Sequence, residues 1–292
     1  MQKIRLLFLA LGLPLLLLHC GSDDSDGEPK NLAAQLASGR VMWIGAHPDD
    51  EATVAPLLGD ICVERGGDCI FLVTTRGEAG QCGLPGGCQP DLATVRTHEM
   101  QQAAALFDAT LVQWDLPDAP GSTPEAVLTA WANTAGGEET FLNLLAAAIE
   151  AAAPDAIITY DARHGTTCHV DHRAVATLVL SALGRLAIPP PTVYLVESHI
   201  DFSQDGSSVT FSAAVPEDTS IIAYDATRHL AQLNDSAWGY LLLNIQAYPS
   251  QFDAQFLSAV TAVPLAARRV FLLPLADANI PPDSRYDNLC TP

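Results

Sequence analysis

The stretch Val41-Met42-Trp43-Ile44-Gly45-Ala46-His47-Pro48-Asp49-Asp50-Glu51 joins an apolar run to a short acidic turn. Such a run is typical of a buried strand, and open α/β sheets bind their ligands beyond the carboxyl ends of the strands. The turn brings one imidazole and two adjacent carboxylates to that edge, which indicates a metal site beside a general base. Taken alone, the same turn is also explained as a polar cap of the next helix.

Strand and helix patterns alternate from about residue 40 to 275, which predicts an α/β fold with a mostly parallel sheet flanked by helices. We read this region as a single domain. The predicted strands are 41–46, 70–75, 110–114, 156–160, 193–197 and 270–273, and the predicted helices are 52–64, 91–107, 138–153, 171–186 and 236–247. The sequence lacks a Gly-x-Gly-x-x-Gly after the first strand and a phosphate-binding loop, so the pattern does not imply a nucleotide.

The composition excludes some partners. The 292 residues carry 34 acidic against 14 basic side chains, for a formal net charge of −20, and no stretch is rich in Lys or Arg. Nucleic acid and anionic lipid headgroups are therefore poor partners for the folded part. We interpret the acidity as an aid to solubility.

The N-terminal segment is typical of a targeting signal. Lys3 and Arg5 precede the apolar run 6–18, and Cys20 follows at once. This layout resembles a bacterial lipoprotein signal, in which the cysteine carries the lipid, although His19 stands where a small residue is usual. An ordinary cleaved signal peptide and a short anchor are the alternatives.

We therefore predict a signal peptide at 1–19, a flexible acidic tether at 20–38, a folded domain at 39–275 and a C-terminal tail at 276–292. The chain is expected to leave a bacterial cytoplasm. It would end as a membrane-anchored lipoprotein, with the membrane as partner through Cys20, or as a periplasmic or extracellular protein.

The remaining cysteines predict disulfides. An even count in an exported protein favours bonding, and short loops favour Cys62–Cys69 and Cys82–Cys88. Cys168 and Cys290 would then tie the tail near a second polar motif. Free buried thiols and a zinc cluster are the alternatives, although no Cys-x-x-Cys spacing supports the cluster.

Two further polar loops follow predicted strands. Residues 75–80 read Thr-Arg-Gly-Glu-Ala-Gly, and residues 169–172 read His-Val-Asp-His. Because parallel strands end at one edge of a sheet, these loops should meet the acidic turn. His172, in the first turn of the next helix, would join His47 and Asp50 as three metal ligands. Three protein ligands with an open fourth position are typical of a catalytic zinc site.

The neighbouring polar residues suggest the chemistry. A divalent metal lowers the pKa of a bound water to about 7, and Asp49 could accept the proton of that water as general base. His169 could stabilise the oxyanion, and Asp171 could hold the His169 imidazole charged in one tautomer. Asp171 as a helix N-cap is the alternative.

Each of four more polar residues can be interpreted as either a structural or a functional residue. Glu51 is either a first-turn helix acid or a hydrogen-bond partner that supports a metal ligand. Glu78 is either a solvated loop acid or a substrate-binding residue. Arg96 and Glu99, three apart on a helix, form either a surface ion pair or part of the site, with Glu99 again supporting a ligand.

These motifs together resemble those of PIG-L/LmbE-type deacetylases over about residues 40–275: Ala46–Glu51, Thr75–Gly80, Arg96 with Glu99, and His169–His172. The resemblance implies a Rossmann-like fold and Zn²⁺, or another divalent transition metal, as cofactor. It further implies that the substrate is an amino sugar or glycoconjugate that contains N-acetylglucosamine.

By the same resemblance, His47, Asp50 and His172 bind zinc, Asp49 is the general base and His169 the oxyanion stabiliser, and Arg96 contacts substrate. Residues 248–251, Tyr-Pro-Ser-Gln, resemble a late segment of the family in which a histidine is common where Tyr248 stands. We expect a zinc-dependent N-deacetylase, an amide hydrolase acting on linear C–N bonds. A lipid-anchored sugar- or metal-binding protein without turnover, and a hydrolase of another N-acyl amide, are the alternatives.

Overall fold

The computed structural model describes residues 32–203, 207–213, 220–276 and 290. It contains a central β-sheet with helices on both faces. The strands are β1 Arg40–Gly45, β2 Asp68–Thr75, β3 Thr110–Leu116, β4 Ala156–Tyr160, β5 Thr192–Val196, β6 Ser198–Phe202, β7 Val209–Ala213, β8 Ile222–Asp225, β9 His229–Leu230, β10 Asp235–Ser236 and β11 Arg269–Pro274. The α-helices are α1 Leu32–Leu36, α2 Ala55–Leu58, α3 Leu92–Leu106, α4 Pro124–Thr134, α5 Glu138–Ala152, α6 Gly165–Cys168, α7 Val170–Leu183, α8 Trp238–Ala247 and α9 Ala254–Thr261.

The predicted signal peptide, most of the predicted tether and most of the predicted tail lie outside the described residues. Among the described residues, no helix is long and apolar enough to cross a membrane.

The sheet has seven strands in the order β3-β2-β1-β4-β5-β11-β8. The first five strands along the chain pair in parallel, whereas β11 pairs antiparallel with both β5 and β8. The predicted α/β class with a mostly parallel sheet is confirmed. The strand order runs outward in both directions from the β1–β4 pair, so the loops after these two strands diverge and leave a crevice between them, which is where open sheets bind ligands.

The centre of the sheet is buried on both faces, as parallel sheets require. Trp43 and Ile44 of β1, Phe71 of β2 and Ile158 of β4 are all 0% exposed. Their continuous apolar runs explain why the strand pattern of the sequence was readable, since no solvated face interrupts them.

Several helix boundaries follow from their caps. Asp91 is the N-cap of α3, where its Oδ1 accepts a hydrogen bond from the backbone N–H of Thr94 at 2.7 Å. The helix predicted at 52–64 is instead divided into a 3₁₀ turn Asp50–Val54, α2 and a π-helix Gly59–Glu64. Gly59 lies so close to Tyr240 that an added Cβ would come within 2.1 Å of the ring.

All three predicted disulfides are confirmed: Cys62–Cys69, Cys82–Cys88 and Cys168–Cys290. The first two close short loops of the chain. The third spans a sequence separation of 122 residues and ties Cys290 to the residue just before His169.

Candidate metal centre and active site

The acidic turn after β1 is closed by the carboxylate of Asp50. Its Oδ2 accepts hydrogen bonds from the backbone N–H groups of Ala46 at 2.6 Å and His47 at 2.8 Å. Asp49 takes the left-handed backbone conformation, with φ of 95°, which costs a non-glycine residue energy and is typical of functional turns. The turn therefore fixes Asp50 through one oxygen and leaves the other oxygen, Oδ1, for the site.

Three ligand-type atoms meet beside this turn. Oδ1 of Asp50 lies 3.0 Å from Nε2 of His172 and 3.4 Å from Nδ1 of His47, and the two imidazole nitrogens lie 3.2 Å apart. All three residues are buried, with exposures of 4–7%. The sequence-predicted ligands are thus brought together from the ends of β1 and the start of α7.

The other ring nitrogens assign the protons of these two histidines. Nδ1 of His172 donates to the carbonyl oxygen of Gly165 at 2.9 Å, so in the neutral ring Nε2 carries a lone pair. Nε2 of His47 faces the carboxylates of Asp118 at 3.1 Å and Asp171 at 3.2 Å, so its proton belongs on that side and Nδ1 carries the lone pair.

Two imidazole lone pairs and one carboxylate oxygen therefore face a common point. Such an arrangement is repulsive unless a cation lies between the three atoms, and nitrogen and oxygen donors in this number suit Zn²⁺ or a neighbouring transition metal. The residues present fit a metal held by His47, Asp50 and His172.

Tyr160, the last residue of β4, supports two of these ligands and escaped the sequence analysis. Its ring stacks on the His172 imidazole with centroids 4.3 Å apart and planes 5° apart. Its hydroxyl donates to the backbone carbonyl of Asp50 at 3.2 Å. Its place at the carboxyl end of a central strand was the signal that could have revealed it.

Asp171 was expected to hold His169, and this expectation is wrong. The Asp171 carboxylate contacts Nε2 of His47 and accepts the backbone N–H of Ala119 at 2.9 Å. Asp171 is not the helix N-cap either: that position belongs to His169, whose Nδ1 accepts the backbone N–H of Asp171 at 3.3 Å. Residues two apart at the start of a helix do not face each other, so the Asp171 carboxylate faces the β1 turn and not the His169 ring.

Asp118, which the sequence analysis missed, completes the support of His47. It follows β3 at the same sheet edge, and its carboxylate also accepts the backbone N–H of Ala79 at 2.8 Å. The pKa of Asp118 is lowered to about 2: burial opposes this shift, but the hydrogen bond and charge of His47 outweigh it. Its position after a strand was visible, but it lies in a stretch, 115–137, that carried no readable motif.

The surroundings of His169 oppose the positive charge that was expected on its ring. Burial, and then the neighbouring His172 and His47, lower the pKa of His169 to about 4, so the ring is neutral near pH 7. Because Nδ1 accepts the Asp171 N–H, the proton of the neutral ring lies on Nε2. His169 can therefore still donate a hydrogen bond to an oxyanion, as a neutral donor.

Asp49 is held by Arg96 at the edge of the metal-ligand cluster. Nη2 of Arg96 lies 2.6 Å from Oδ2 of Asp49 and also donates to the backbone oxygen of Pro48, while Nη1 donates to the oxygen of Gly77 at 3.0 Å. Burial raises the pKa of Asp49 to about 6, although the Arg96 charge opposes the shift. A carboxyl that titrates near neutrality is well matched to proton transfer.

Gly77, in the second predicted loop, is required by this arrangement. Its φ is +70°, and a Cβ at this position would lie 2.2 Å from Nη1 of Arg96. The surface ion pair considered for Arg96 and Glu99 is wrong, because both residues are only 4% exposed. Arg96 lines the cavity described below, in line with its predicted substrate contact.

The two glutamates expected to support a metal ligand have other partners. Glu51 accepts hydrogen bonds from Asn244 at 2.8 Å and from the hydroxyl of Tyr248 at 2.5 Å, which fastens the acidic turn to α8. Glu99 accepts the backbone N–H and the hydroxyl of Ser250, at 2.9 and 2.6 Å. The late segment 248–251 thus stabilises the site through hydrogen bonds to Glu51 and Glu99. The expectation that these two glutamates contact a metal ligand is corrected.

Glu78 is also placed differently from the prediction. It is exposed, does not line the cavity, and accepts the backbone N–H of Asp118 at 2.9 Å. It therefore positions the Asp118 loop rather than a substrate.

A cavity of about 340 Å³ opens over these groups. Its polar half is formed by Asp49, Asp50, Arg96, Asp118 and the three histidines 47, 169 and 172. The lining that comes from residues 200–260 is apolar except for Gln251. The volume is in the range of small-molecule sites, so the metal-ligand cluster lies at one side of a ligand-sized pocket.

Comparison with known proteins places the site in a family context. Residues 42–183 match the family described as PIG-L: GlcNAc-PI de-N-acetylase, and they contain all three loops that meet at the site. No curated protein sequence matches this chain.

Solved structures share the fold at low sequence identity. The N,N'-diacetylchitobiose deacetylase of Pyrococcus horikoshii has a TM-score of 0.55 and 16% identity over 83% of this chain and 86% of its own. A teicoplanin deacetylase, solved in a zinc-inhibited form, has a TM-score of 0.52 and 15% identity over 80% of this chain and 97% of its own. The 4-carboxy-2-hydroxymuconate hydratase of Pseudomonas putida has a TM-score of 0.54 and 14% identity over 81% and 95%. At these identities the likeness establishes the fold, which deacetylases and a hydratase share.

Proposed function

Because this chain belongs to the PIG-L/LmbE-like deacetylase family, we propose that it is a metal-dependent amide hydrolase that removes the acetyl group from a substrate containing N-acetylglucosamine. One observation carries the proposal. The ligand atoms of His47, Asp50 and His172 face one point, and the buried carboxyl Asp49 stands beside them at the wall of the cavity.

The chain's own residues supply the rest of the chemistry. His47, Asp50 and His172 would hold a divalent metal, which when bound would supply polarisation of an amide carbonyl and a water whose pKa is lowered to about 7. Asp49 then accepts a proton from the attacking water and returns it to the nitrogen of the departing amine. His169 donates its Nε2 hydrogen to the oxygen that becomes negative as the carbonyl carbon turns tetrahedral.

Zinc is the proposed native metal, since two imidazoles and one carboxylate are a common catalytic zinc set. The zinc-inhibited form recorded for the teicoplanin deacetylase concerns that protein alone. It nevertheless makes the choice of metal part of the test, because neighbouring divalent ions bind the same donors.

The decisive test is release of acetate. Metal-free protein, reloaded separately with zinc, cobalt or manganese, would be incubated with free, oligomeric and glycosidically linked N-acetylglucosamine. We expect acetate and free amine in equal amounts with the native metal, and release at least about 100-fold slower from Asp49→Asn. If the metal-loaded protein binds these sugars but releases no acetate from any of them, the alternative of a binding protein without turnover replaces the proposal.

We also propose that the enzyme works outside the cytoplasm, anchored through lipid on Cys20. The support is the order of Lys3, Arg5, the apolar run 6–18 and Cys20, together with three disulfides of the kind that persist in oxidising compartments.

A further inference from the structure

The apolar half of the catalytic cavity is a continuous surface, which we name the aromatic wall. It is formed by Ile200, Phe202, Phe211, Leu241, Ile245, Phe252, Phe256 and Val260. These residues come from the β6–β7 hairpin, from α8 and from α9 with the turn before it. The wall and the metal-ligand cluster share one cavity, so a substrate at the cluster can extend onto the wall.

The rings of the wall contact one another. Phe252 and Phe256 stack with centroids 4.6 Å apart and planes at 18°, and Phe202 lies 5.7 Å from Phe256. Phe202 is 49% exposed although it is a large apolar residue. Leu241, Ile245 and Val260 are themselves buried, at 0–3% exposure, so the accessible part of the wall consists of Ile200 and the four phenylalanines. An accessible apolar surface inside a cavity favours an apolar ligand, because covering the surface is favourable.

The wall offers nothing to a polar ligand. Its eight side chains carry no hydrogen-bonding group, so the hydroxyls of a bare sugar pressed against it would lose their hydrogen bonds to water without replacement. Aromatic and aliphatic side chains in this proportion suit an alkyl or aryl group.

The side-chain charges of the cavity disfavour an anionic ligand. Among the described residues that line it, Arg96 is the one arginine or lysine, and its guanidinium already contacts Asp49, Pro48 and Gly77. Asp49, Asp50 and Asp118 line the same cavity. Away from a metal at the ligand cluster, a phosphate group in this cavity would meet carboxylates without a side-chain cation to balance its charge, which is unfavourable in a partly buried site.

The wall is also separate from the family stretch. Every wall residue lies between 200 and 260, whereas the family match ends at residue 183. The metal-ligand cluster and the aromatic wall therefore come from different parts of the chain. The family match covers the cluster and does not cover the residues that would contact the apolar group of a ligand.

We infer that the substrate is an uncharged amphiphile: an N-acyl amine that carries an alkyl or aryl group, which packs on the aromatic wall while the amide lies at the metal-ligand cluster. This inference rests on the proposed amide hydrolysis. The apolar group belongs either to the amine side, as the aglycone of an N-acetylglucosaminide, or to the acyl side, as a fatty acyl chain.

Turnover distinguishes these two sources. The metal-loaded protein would be assayed with N-acetylglucosamine, its octyl glycoside and N-octanoylglucosamine, all below their aggregation concentrations. We expect kcat/KM at least about tenfold higher for one of the apolar substrates than for N-acetylglucosamine, since each buried methylene contributes about fourfold. If the octyl glycoside is the better substrate, the wall binds the aglycone. If N-octanoylglucosamine is the better substrate, the wall binds the acyl chain.

Binding provides a readout that does not depend on turnover. Octyl glucoside, which has no amide, should bind the protein by calorimetry, and Phe202→Ala and Phe256→Leu should each weaken its binding about tenfold. Leu144→Ala is the matched control, because Leu144 is 50% exposed on α5, outside the cavity. It should leave binding unchanged.

The outcomes separate the two proposals. Hydrolysis of all three substrates at equal kcat/KM, or octyl glucoside binding that ignores both Phe variants, overturns the inference and leaves the hydrolase. If the Phe variants weaken octyl glucoside binding but no substrate is hydrolysed, the apolar binding site is supported and the proposed hydrolase activity is contradicted. A preference for a phosphate-bearing alkyl glycoside over the uncharged one contradicts the charge argument. Loss of octyl glucoside binding as protein concentration rises would assign the wall to contact between two copies.

Discussion

Asp49 and Asp50 are neighbours in sequence with opposite surroundings. Asp50 is 4% exposed and is fixed by two backbone N–H groups and two histidines, which hold its pKa well below the usual range despite burial. Asp49 lies on Arg96, and burial raises its pKa to about 6. Environment therefore divides the two carboxyls into one that stays ionised and one that can exchange a proton.

Substitution of each aspartate should separate these roles. Asp49→Asn should keep one metal per protein and lower kcat/KM about 100- to 10,000-fold, the usual contribution of a general base. Asp50→Asn should lose the metal, since it replaces a charged ligand. Elemental analysis and acetate release on the same samples check both. Equal metal loss in the two variants would refute the division.

Substitution of Asp171 should lower the metal affinity through its contact with His47. Asp171→Asn can still accept the Ala119 N–H but no longer provides the charge beside Nε2 of His47. Metal affinity should fall about 10- to 100-fold, as for other carboxylates that support a histidine ligand. A competition titration with a chromophoric chelator measures it, with Asp68→Asn, an exposed carboxylate away from the site, as control. Unchanged affinity would mean that the contact is only structural.

The site residues that the sequence revealed are those carried by contiguous motifs. His47, Asp50 and His172 could be named because each follows a strong strand pattern. Asp118 and Tyr160 could not, because a lone aspartate or tyrosine has no motif and acquires its partner only through packing between loops. The partner of Asp171 was wrong for the same reason: helix geometry, not sequence proximity, decides which way a side chain in the first turn faces.

At the scale of elements, α6, the short segment directly before α7, has an irregular backbone. Gly165, Thr166 and Cys168 all have positive φ, from 62° to 65°, so two non-glycine residues adopt a backbone conformation that they rarely take. The Cys168–Cys290 disulfide fixes the end of this segment, directly before His169. The disulfide therefore acts on a segment that is locally unfavourable and catalytically important.

Removal of that disulfide should destabilise the protein and the site together. Cys168→Ser with Cys290→Ser should lower the free energy of unfolding by about 2–4 kcal/mol and should also reduce turnover, because the strained segment loses its tie. Cys82→Ser with Cys88→Ser, whose bond spans a separation of only 6 residues, should cost less stability and is the control. Denaturant unfolding and acetate release are the measurements. Equal effects of the two pairs would contradict a specific role for Cys168–Cys290.

The elements that the sequence missed have weak local signals. Helix α4 begins at Pro124 after the cap Thr123, yet it lies in a stretch with many small and turn-forming residues and reads as loop. The β6–β7 hairpin has short strands with one solvated face. By contrast, β1, β2 and β4 are buried on both faces, and their uninterrupted apolar runs identify them.

At the scale of the whole molecule, the chain combines a folded catalytic part with a predicted N-terminal lipid anchor. The predicted anchor requires Cys20, and Cys20→Ser should release the protein from membranes to the soluble fraction while acetate release per molecule stays unchanged. Fractionation with an antibody against the folded domain measures the distribution. Retention of the Cys20→Ser protein on membranes would indicate an uncleaved apolar anchor, and the acidic tether would then follow a spanning segment.

The arrangement of the cavity has a consequence for how such enzymes diversify. The metal-ligand cluster is formed by residues that follow β1 and β4. The aromatic wall is formed by residues nearer the C-terminus, on the β6–β7 hairpin, on α8, and on α9 with the turn before it. The positions of the aromatic wall can therefore vary without altering the atoms of the metal-ligand cluster, provided that Asn244, Tyr248 and Ser250 keep their hydrogen bonds to Glu51 and Glu99. A library confined to the wall positions should change which amines are processed while the pH dependence and the metal requirement are inherited intact.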